Sequence, residues 1–278
     1  FFAKGLSSPG SVPLMNSRGD ACADSGLGTL DGDPDMCLRP VTGTLAPIPW
    51  IRSNTHQVLG TWFRQDGSPL NWDPRVVLQQ ALQPLTAMGL KVVIATELEF
   101  YLLEPGTGTI PEPKLAAIPG TGLKQDGIQY AAQEDMWEFD DFFDGVRQTC
   151  QLQNLPCTTA HTEWAPGQFE INLHHVDDVV LACDQAVLLK RLVKGLARQQ
   201  GMGATFMAKP FAEHSGNGLH IHISIYDDSG NNIFADSGAT EQPPISARML
   251  HALGGLAATM EQSQRFLRPM PIPIGACV

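Results

Sequence analysis

Glu97 and Glu99 stand two residues apart in the apolar run Val92-Val93-Ile94-Ala95-Thr96-Glu97-Leu98-Glu99-Phe100-Tyr101-Leu102. Side chains alternate faces along a strand, so both carboxylates project from one side, roughly 7 Å apart. In an otherwise apolar setting such a pair repels itself and costs desolvation unless a cation sits between its members. The pattern recurs downstream. Gln168, Glu170, Asn172 and His174 alternate with Phe169, Ile171 and Leu173, and His220, His222 and Ser224 alternate with Leu219, Ile221, Ile223 and Ile225. Taken singly, a strand glutamate is usually solvated and a buried histidine usually a satisfied hydrogen-bonding group. Together, Glu97, Glu99, Glu163, Glu170 and His220 form a carboxylate-rich set with one imidazole. That donor chemistry suits a hard ion, Mg²⁺ or Mn²⁺, better than zinc.

Three strands with one apolar and one ionisable face imply a sheet whose polar side holds metal and substrate. Val92, Ile94, Leu98, Phe100 and Leu102, with Thr96 among them, are expected to face a core, as are the apolar sets around Ile171 and Ile221. Around these strands, Asp73-Pro74 opens a helix with Val77, Leu78, Ala81, Leu82 and Leu85 as its apolar face and Gly89 as its stop. Residues 105–130 read as a long Gly- and Pro-rich loop. A single helix is expected from about Glu134 to Gln153, burying Phe139, Phe142, Phe143, Val146 and Cys150. A strand at 155–161 follows, then a helix capped by Asp177 or Asp178, a short strand at 204–207, a turn at 227–230 and a last helix from Ser246 to about Gln264. Asp31-Gly32-Asp33-Pro34-Asp35 lacks the ligand spacing of a calcium loop and reads as a turn.

Composition removes several alternatives. With 278 residues and a net charge of −11, the chain is poorly suited to nucleic acid or an anionic membrane as its main partner. No apolar run approaches the roughly 18 residues that span a bilayer, and no secretory leader opens the chain. Cys22, Cys37, Cys150, Cys157, Cys183 and Cys277 form no C-x-x-C pair and read as free thiols of a reducing cytoplasm. There is no P-loop, dinucleotide fingerprint or nucleophile elbow. A bound nucleotide would be held through metal ions and scattered side chains, with Gly216-Asn217-Gly218 available as a backbone-donating loop.

Thr96-Glu97-Leu98-Glu99-Phe100-Tyr101-Leu102, Glu163-Trp164-Ala165-Pro166-Gly167-Gln168-Phe169-Glu170, and Ala204 to Pro210 running on to Gly218-Leu219-His220-Ile221-His222-Ile223-Ser224, in that order, closely resemble the glutamine synthetase superfamily. The resemblance runs from about Gly5 to Phe266. It implies an α+β protein: a small β-grasp-like domain over residues 1–66 and a catalytic domain over 67–278 built on a curved, mainly antiparallel sheet flanked by helices. It also implies a cytoplasmic, ATP-dependent ligase that joins the γ-carboxylate of glutamate to an amine through γ-glutamyl phosphate. By motif, Glu99, Glu163 and Glu170 would hold one Mg²⁺ or Mn²⁺, and Glu97 with His220 a second beside the ATP phosphates. His222 and Ser224 would bind nucleotide, Gly216 would offer its backbone to glutamate, and subunits would assemble into homo-oligomeric rings. Neither nucleic acid nor membrane is an expected partner.

The departures carry expectations of their own. Asn16 falls where ammonia-using members carry an Asp, and Ser215-Gly216-Asn217-Gly218 replaces their usual Asn-Gly-Ser-Gly, which favours an organic amine such as a polyamine over ammonia. The family's glutamate flap and arginines do not follow Phe266, so no catalytic residue is assigned. The tail after it, with Pro269, Pro271 and Pro273, has no periodicity. An alternative frame of one coding string for this tail restores a family-like Asn-Ser-Tyr-Arg-Arg stretch, so a truncated, frame-shifted chain is expected. The alternative function is that of a non-catalytic relative retaining metal or nucleotide binding.

Overall fold

The computed structural model describes residues 4–15, 19–20, 26–106, 111–236, 238 and 244–267. Asn16 and the tail from 268 onward lie outside the described residues. The chain divides into two compact units, one of residues 1–48 and 54–84 and one of 49–53 and 85–278.

In the first unit, β1 (Leu6–Pro9), β2 (Asp35–Pro40) and β5 (Gly60–Phe63) make an antiparallel sheet in the order β1-β2-β5, and β3 (Ala46–Pro47) pairs with β4 (His56–Gln57). Leu27, Met36 and Leu70 form its core, with Leu14 and Trp62 against them. The acidic 31–35 segment turns, at Gly32 (φ 83°), from a short 3-10 helix (Thr29–Asp31) into β2 rather than between two strands. Its Asp33 carboxylate accepts from the Ser11 backbone N–H at 2.9 Å and hydroxyl at 3.1 Å, so the oxygens tie chain to chain.

Helix α1 (Pro74–Ala87) begins where the sequence places it. The buried Asp73 accepts from the N–H groups of Arg75 at 2.9 Å and Val76 at 3.4 Å, satisfying donors that an uncapped helix leaves orphaned. At the other end Gly89 takes φ 68° and donates to Thr86 O, while Leu90 donates to Leu85 O, the paired bonds of a Schellman stop. The expected apolar face is only partly correct. Leu78, Leu82 and Leu85 are half-buried, but Val77 and Ala81 are exposed and Val76 is buried in their place. Adjacent apolar residues leave the phase of a helix open.

The second unit holds the motifs. Strand β6 (Lys91–Leu103) is followed by α2 (Gln133–Glu138), α3 (Asp140–Leu152), β7 (Cys157–Thr162), β8 (Gln168–Leu173), α4 (Val179–Gln199), β9 (Gly203–Thr205), β10 (Leu219–Tyr226) and α5 (Ala247–Leu267). The sheet runs β10-β6-β8-β7, with β9 pairing the end of β6, and every pairing is antiparallel. The mainly antiparallel α+β class is therefore the observed one. Phe100, Phe139, Phe142, Phe143 and Phe169 interlock over one face, with Phe139 and Phe169 edge to face at 5.3 Å. Removing one such ring costs about 3–5 kcal/mol. Helix α4, capped by Asp178 through Leu181 N–H at 2.9 Å, buries Leu189, Leu192 and Val193 and lies against β6 and β9.

Two expectations are corrected here. The single helix at 134–153 is two, because Phe139 leaves helical geometry (φ −111°, ψ 23°) to seat its ring on Phe169. The apolar face of β10 is not core: Leu219, Ile221 and Ile223 are 52%, 54% and 52% exposed, and only Ile225 is half-buried. The helices pack on β6, β7 and β9, and this face of β10 stays open to solvent. Helix α5 likewise exposes Leu250, Leu253, Leu256 and Met260. Among the described residues no helix is long and apolar enough to cross a membrane.

Candidate metal centre

Register places the ionisable residues in two rungs across the sheet. In one, Glu97 of β6 stands between His220 of β10 and Asn172 of β8; in the next, Glu99 of β6 faces Glu170 of β8, which faces His161 of β7. The short β7–β8 connection brings in Glu163, whose N–H donates to Gln168 O at 2.9 Å. Gly167 closes this turn at φ 75°, and a Cβ there would meet Lys114 O at 2.7 Å, so only glycine fits.

The side chains converge accordingly. Glu97 lies 3.1 Å from His220 Nδ1 through Oε2 and 3.0 Å from His222 Nε2 through Oε1, and accepts from Asn172 Nδ2 at 3.1 Å. Glu170 Oε1 is 3.0 Å from His161 Nε2, and its Oε2 is 3.9 Å from His220 Nδ1. His161 Nδ1 lies 3.8 Å from Glu163. Two groups thus have metal-ligand spacing, Glu97 with Glu170 and His220, and His161 with Glu163 and Glu170. Glu170 belongs to both. Glu99 belongs to neither as the side chains stand, its Oε2 accepting from Gln168 Nε2 at 3.1 Å. The resemblance groups these residues differently, placing Glu99 with Glu163 and Glu170 and leaving Glu170 out of the His220 set.

Electrostatics separates the carboxylates. Burial alone would raise the pKa of Glu97, but hydrogen bonds and charge from His222 and His220 outweigh it and hold the group below the ordinary carboxylate range. Burial pushes Glu163 upward, and the charges of Glu99 and Glu170 push it further. Buried Glu99 and Glu170 have no Lys or Arg in ion-pair contact among the described residues, and Asn172 Oδ1 is buried without a hydrogen-bond donor. Excess buried negative charge plus an orphaned oxygen is the environment a hard cation relieves, so the residues present fit Mg²⁺ or Mn²⁺.

Supporting polar residues lock the site from below. Buried Gln168 donates to Gly216 O at 2.9 Å and Asn217 Oδ1 at 3.1 Å as well as to Glu99, and buried Gln129 holds Gln168 O at 2.6 Å and Gly167 N–H at 3.2 Å. Gly216 is thereby fixed through its carbonyl. Ser224 lies on β10 opposite Val93, two residues beyond His222. His161 was missed as a site residue by the sequence reading, although its two-residue spacing from Glu163 is a strand-like signal.

The fold is an α+β one whose antiparallel sheet carries two acidic, histidine-containing clusters with metal-ligand spacing. Residues 71–271 match the family described as glutamine synthetase, catalytic domain. The chain belongs to the glutamine synthetase family. It is 39% identical over 269 residues to gamma-glutamylputrescine synthetase of Escherichia coli (strain K12), covering 96% of this chain and 56% of that protein. It is 35% identical to glutamate–isopropylamine ligase of a Pseudomonas species, covering 74% of this chain and 44% of that protein. The chain thus spans about half the length of these relatives. Among solved structures it superposes on ligand-free GmaS with a TM-score of 0.73 at 25% identity, covering 93% of this chain and 55% of the other. Plasmodium falciparum glutamine synthetase shares the fold, with a TM-score of 0.78 at 18% identity over 97% of this chain and 53% of that one.

Proposed function

We propose that this chain carries the divalent-cation centre of an ATP-dependent ligase that joins the γ-carboxylate of glutamate to an organic amine. The observation that carries the reading is the pairing of buried Glu99 and Glu170 across β6 and β8, flanked by His161 and His220, on a chain of the glutamine synthetase family. The names of the two amine ligases among its relatives support an amine larger than ammonia. In this reading Glu97, Glu99, Glu163, Glu170 and His220 hold Mg²⁺ or Mn²⁺, with His161 orienting Glu170. Bound cations neutralise phosphoryl oxygens during in-line transfer. His222 and Ser224 then border the nucleotide, and Gly216 borders glutamate. Gln168 keeps Glu99 and the 215–218 loop in fixed relation, so that a phosphoryl acceptor and the cation site share one frame. Assembly into rings belongs to the same proposal.

A second reading is that of a relative that binds metal and nucleotide without turnover. Coupled assay of phosphate release from ATP, with and without glutamate and a panel of primary amines and ammonia, tests the first reading. Release that needs both glutamate and an amine supports ligation. Metal-dependent ADP binding without such release supports the second.

A further inference from the structure

Away from the acidic rungs, the last turn of α3 and the first residue of β7 bring two thiols together. Cys150 is buried and Cys157 half-buried, and both line a cavity of about 320 Å³ with Phe143, Val146, Arg147 and Leu155. The backbone between them is folded tightly: Leu155 N–H donates to Cys150 O and Cys157 N–H to Leu155 O, each at 2.9 Å. The ladder slips its register between Cys157 and Thr159, which gives the strand start local slack. The two thiols interact with one another, which raises Cys150 and lowers Cys157 from the ordinary thiol value.

We infer that Cys150 and Cys157 form an oxidisable dithiol, with Cys157 as the cavity-facing nucleophile toward hydroperoxides and Cys150 as its resolving partner. The interaction with Cys150 favours thiolate at Cys157 against the opposing effect of burial, whereas Cys157 and burial push Cys150 up, so the roles are unequal. The chemistry balances with hydrogen peroxide as oxidant. The Cys157 thiolate attacks one peroxide oxygen, the O–O bond breaks, and the leaving hydroxide takes a proton to become water. Cys150 then displaces hydroxide from the Cys157 sulfenic acid, an S–S bond forms, and a second water leaves. Two thiols lose two electrons and two protons in all, and the peroxide gains them.

The test is independent of ligase activity. The whole chain is treated with hydrogen peroxide, blocked with an alkylating reagent, and mapped by mass spectrometry with and without dithiothreitol. A reducible Cys150–Cys157 cross-link is expected in wild type. In Cys150→Ser a dimedone adduct is expected at Cys157, and in Cys157→Ser neither product. Both thiols remaining alkylatable in wild type would overturn the assignment, as would cross-links distributed among Cys37 and Cys183 instead. Because wild-type mapping alone decides the pairing, a variant that misfolds does not blunt the test.

Discussion

Glu99 and Glu170 face each other across β6 and β8 with 9% and 5% of their surfaces exposed. Like charges directly opposite on paired strands are destabilising. Keeping them opposed costs stability that a bound cation would relieve.

Glu170→Gln should therefore raise the melting temperature of the metal-free chain by a few degrees, equivalent to roughly 1 kcal/mol. The same substitution should remove the stabilisation that Mn²⁺ gives wild type. Circular dichroism melts with and without Mn²⁺ measure both effects. Equal responses to Mn²⁺ in the two proteins would place the ion elsewhere.

Gly218→Ala should weaken Mn²⁺ binding more than it weakens the fold. An added Cβ would stand 2.6 Å from Glu99 Oε1 and 3.1 Å from His220 Nε2, so the side chains of the centre must yield rather than the backbone. Calorimetric titration should show a loss on the order of tenfold, about 1.4 kcal/mol. An unchanged affinity would show that Glu99 need not hold its present position.

Glu104 supplies a pH signature away from the centre. Burial would raise its pKa, but hydrogen bonds from Lys124 and Lys114, at 2.9 and 3.0 Å, hold it below the ordinary value of 4.5. A depressed folded-state pKa contributes stability that is present above the unfolded value and is lost as pH falls through the folded one. Glu104→Gln should cost about 1 kcal/mol at neutral pH, with the difference from wild type shrinking below pH 4.5. A difference that grows on acidification contradicts this assignment.

The uncovered faces of β10 and α5 predict that the isolated chain binds an apolar dye while folded. Leu219→Lys with Ile223→Lys should lower dye fluorescence severalfold at little cost in melting temperature, because these side chains bury little. A large drop in melting temperature would mean that β10 is covered after all.

The polar faces of β6, β8 and β10 were legible because a two-residue period fixes which side chains point together. Glu97, Glu170 and His220 meet for that reason. What covers the opposite face is a tertiary matter, and Leu219, Ile221 and Ile223 carry the same apolar signal as Leu98 and Phe100 although only the latter pair is buried. The break at Phe139 was equally hidden, since the spacing of Phe139, Phe142 and Phe143 suits one helix or two. Gln129 and Gln168 fasten the site through amides that no local pattern marks. They lie 39 residues apart and meet only once β8 is in place.

Glu170 offers one oxygen toward His161 and the other toward His220, so a single rotamer serves both clusters. Fixing that rotamer at one cluster removes conformational freedom that the other would otherwise have to restrict. Under the proposed metal-binding reading, ion binding at the two clusters is thermodynamically linked, and each ion alters the affinity of the other by the same factor. A Mn²⁺ isotherm that departs from independent sites, and reverts to independence in Glu170→Ala or loses a site altogether, is the signature of that shared hinge.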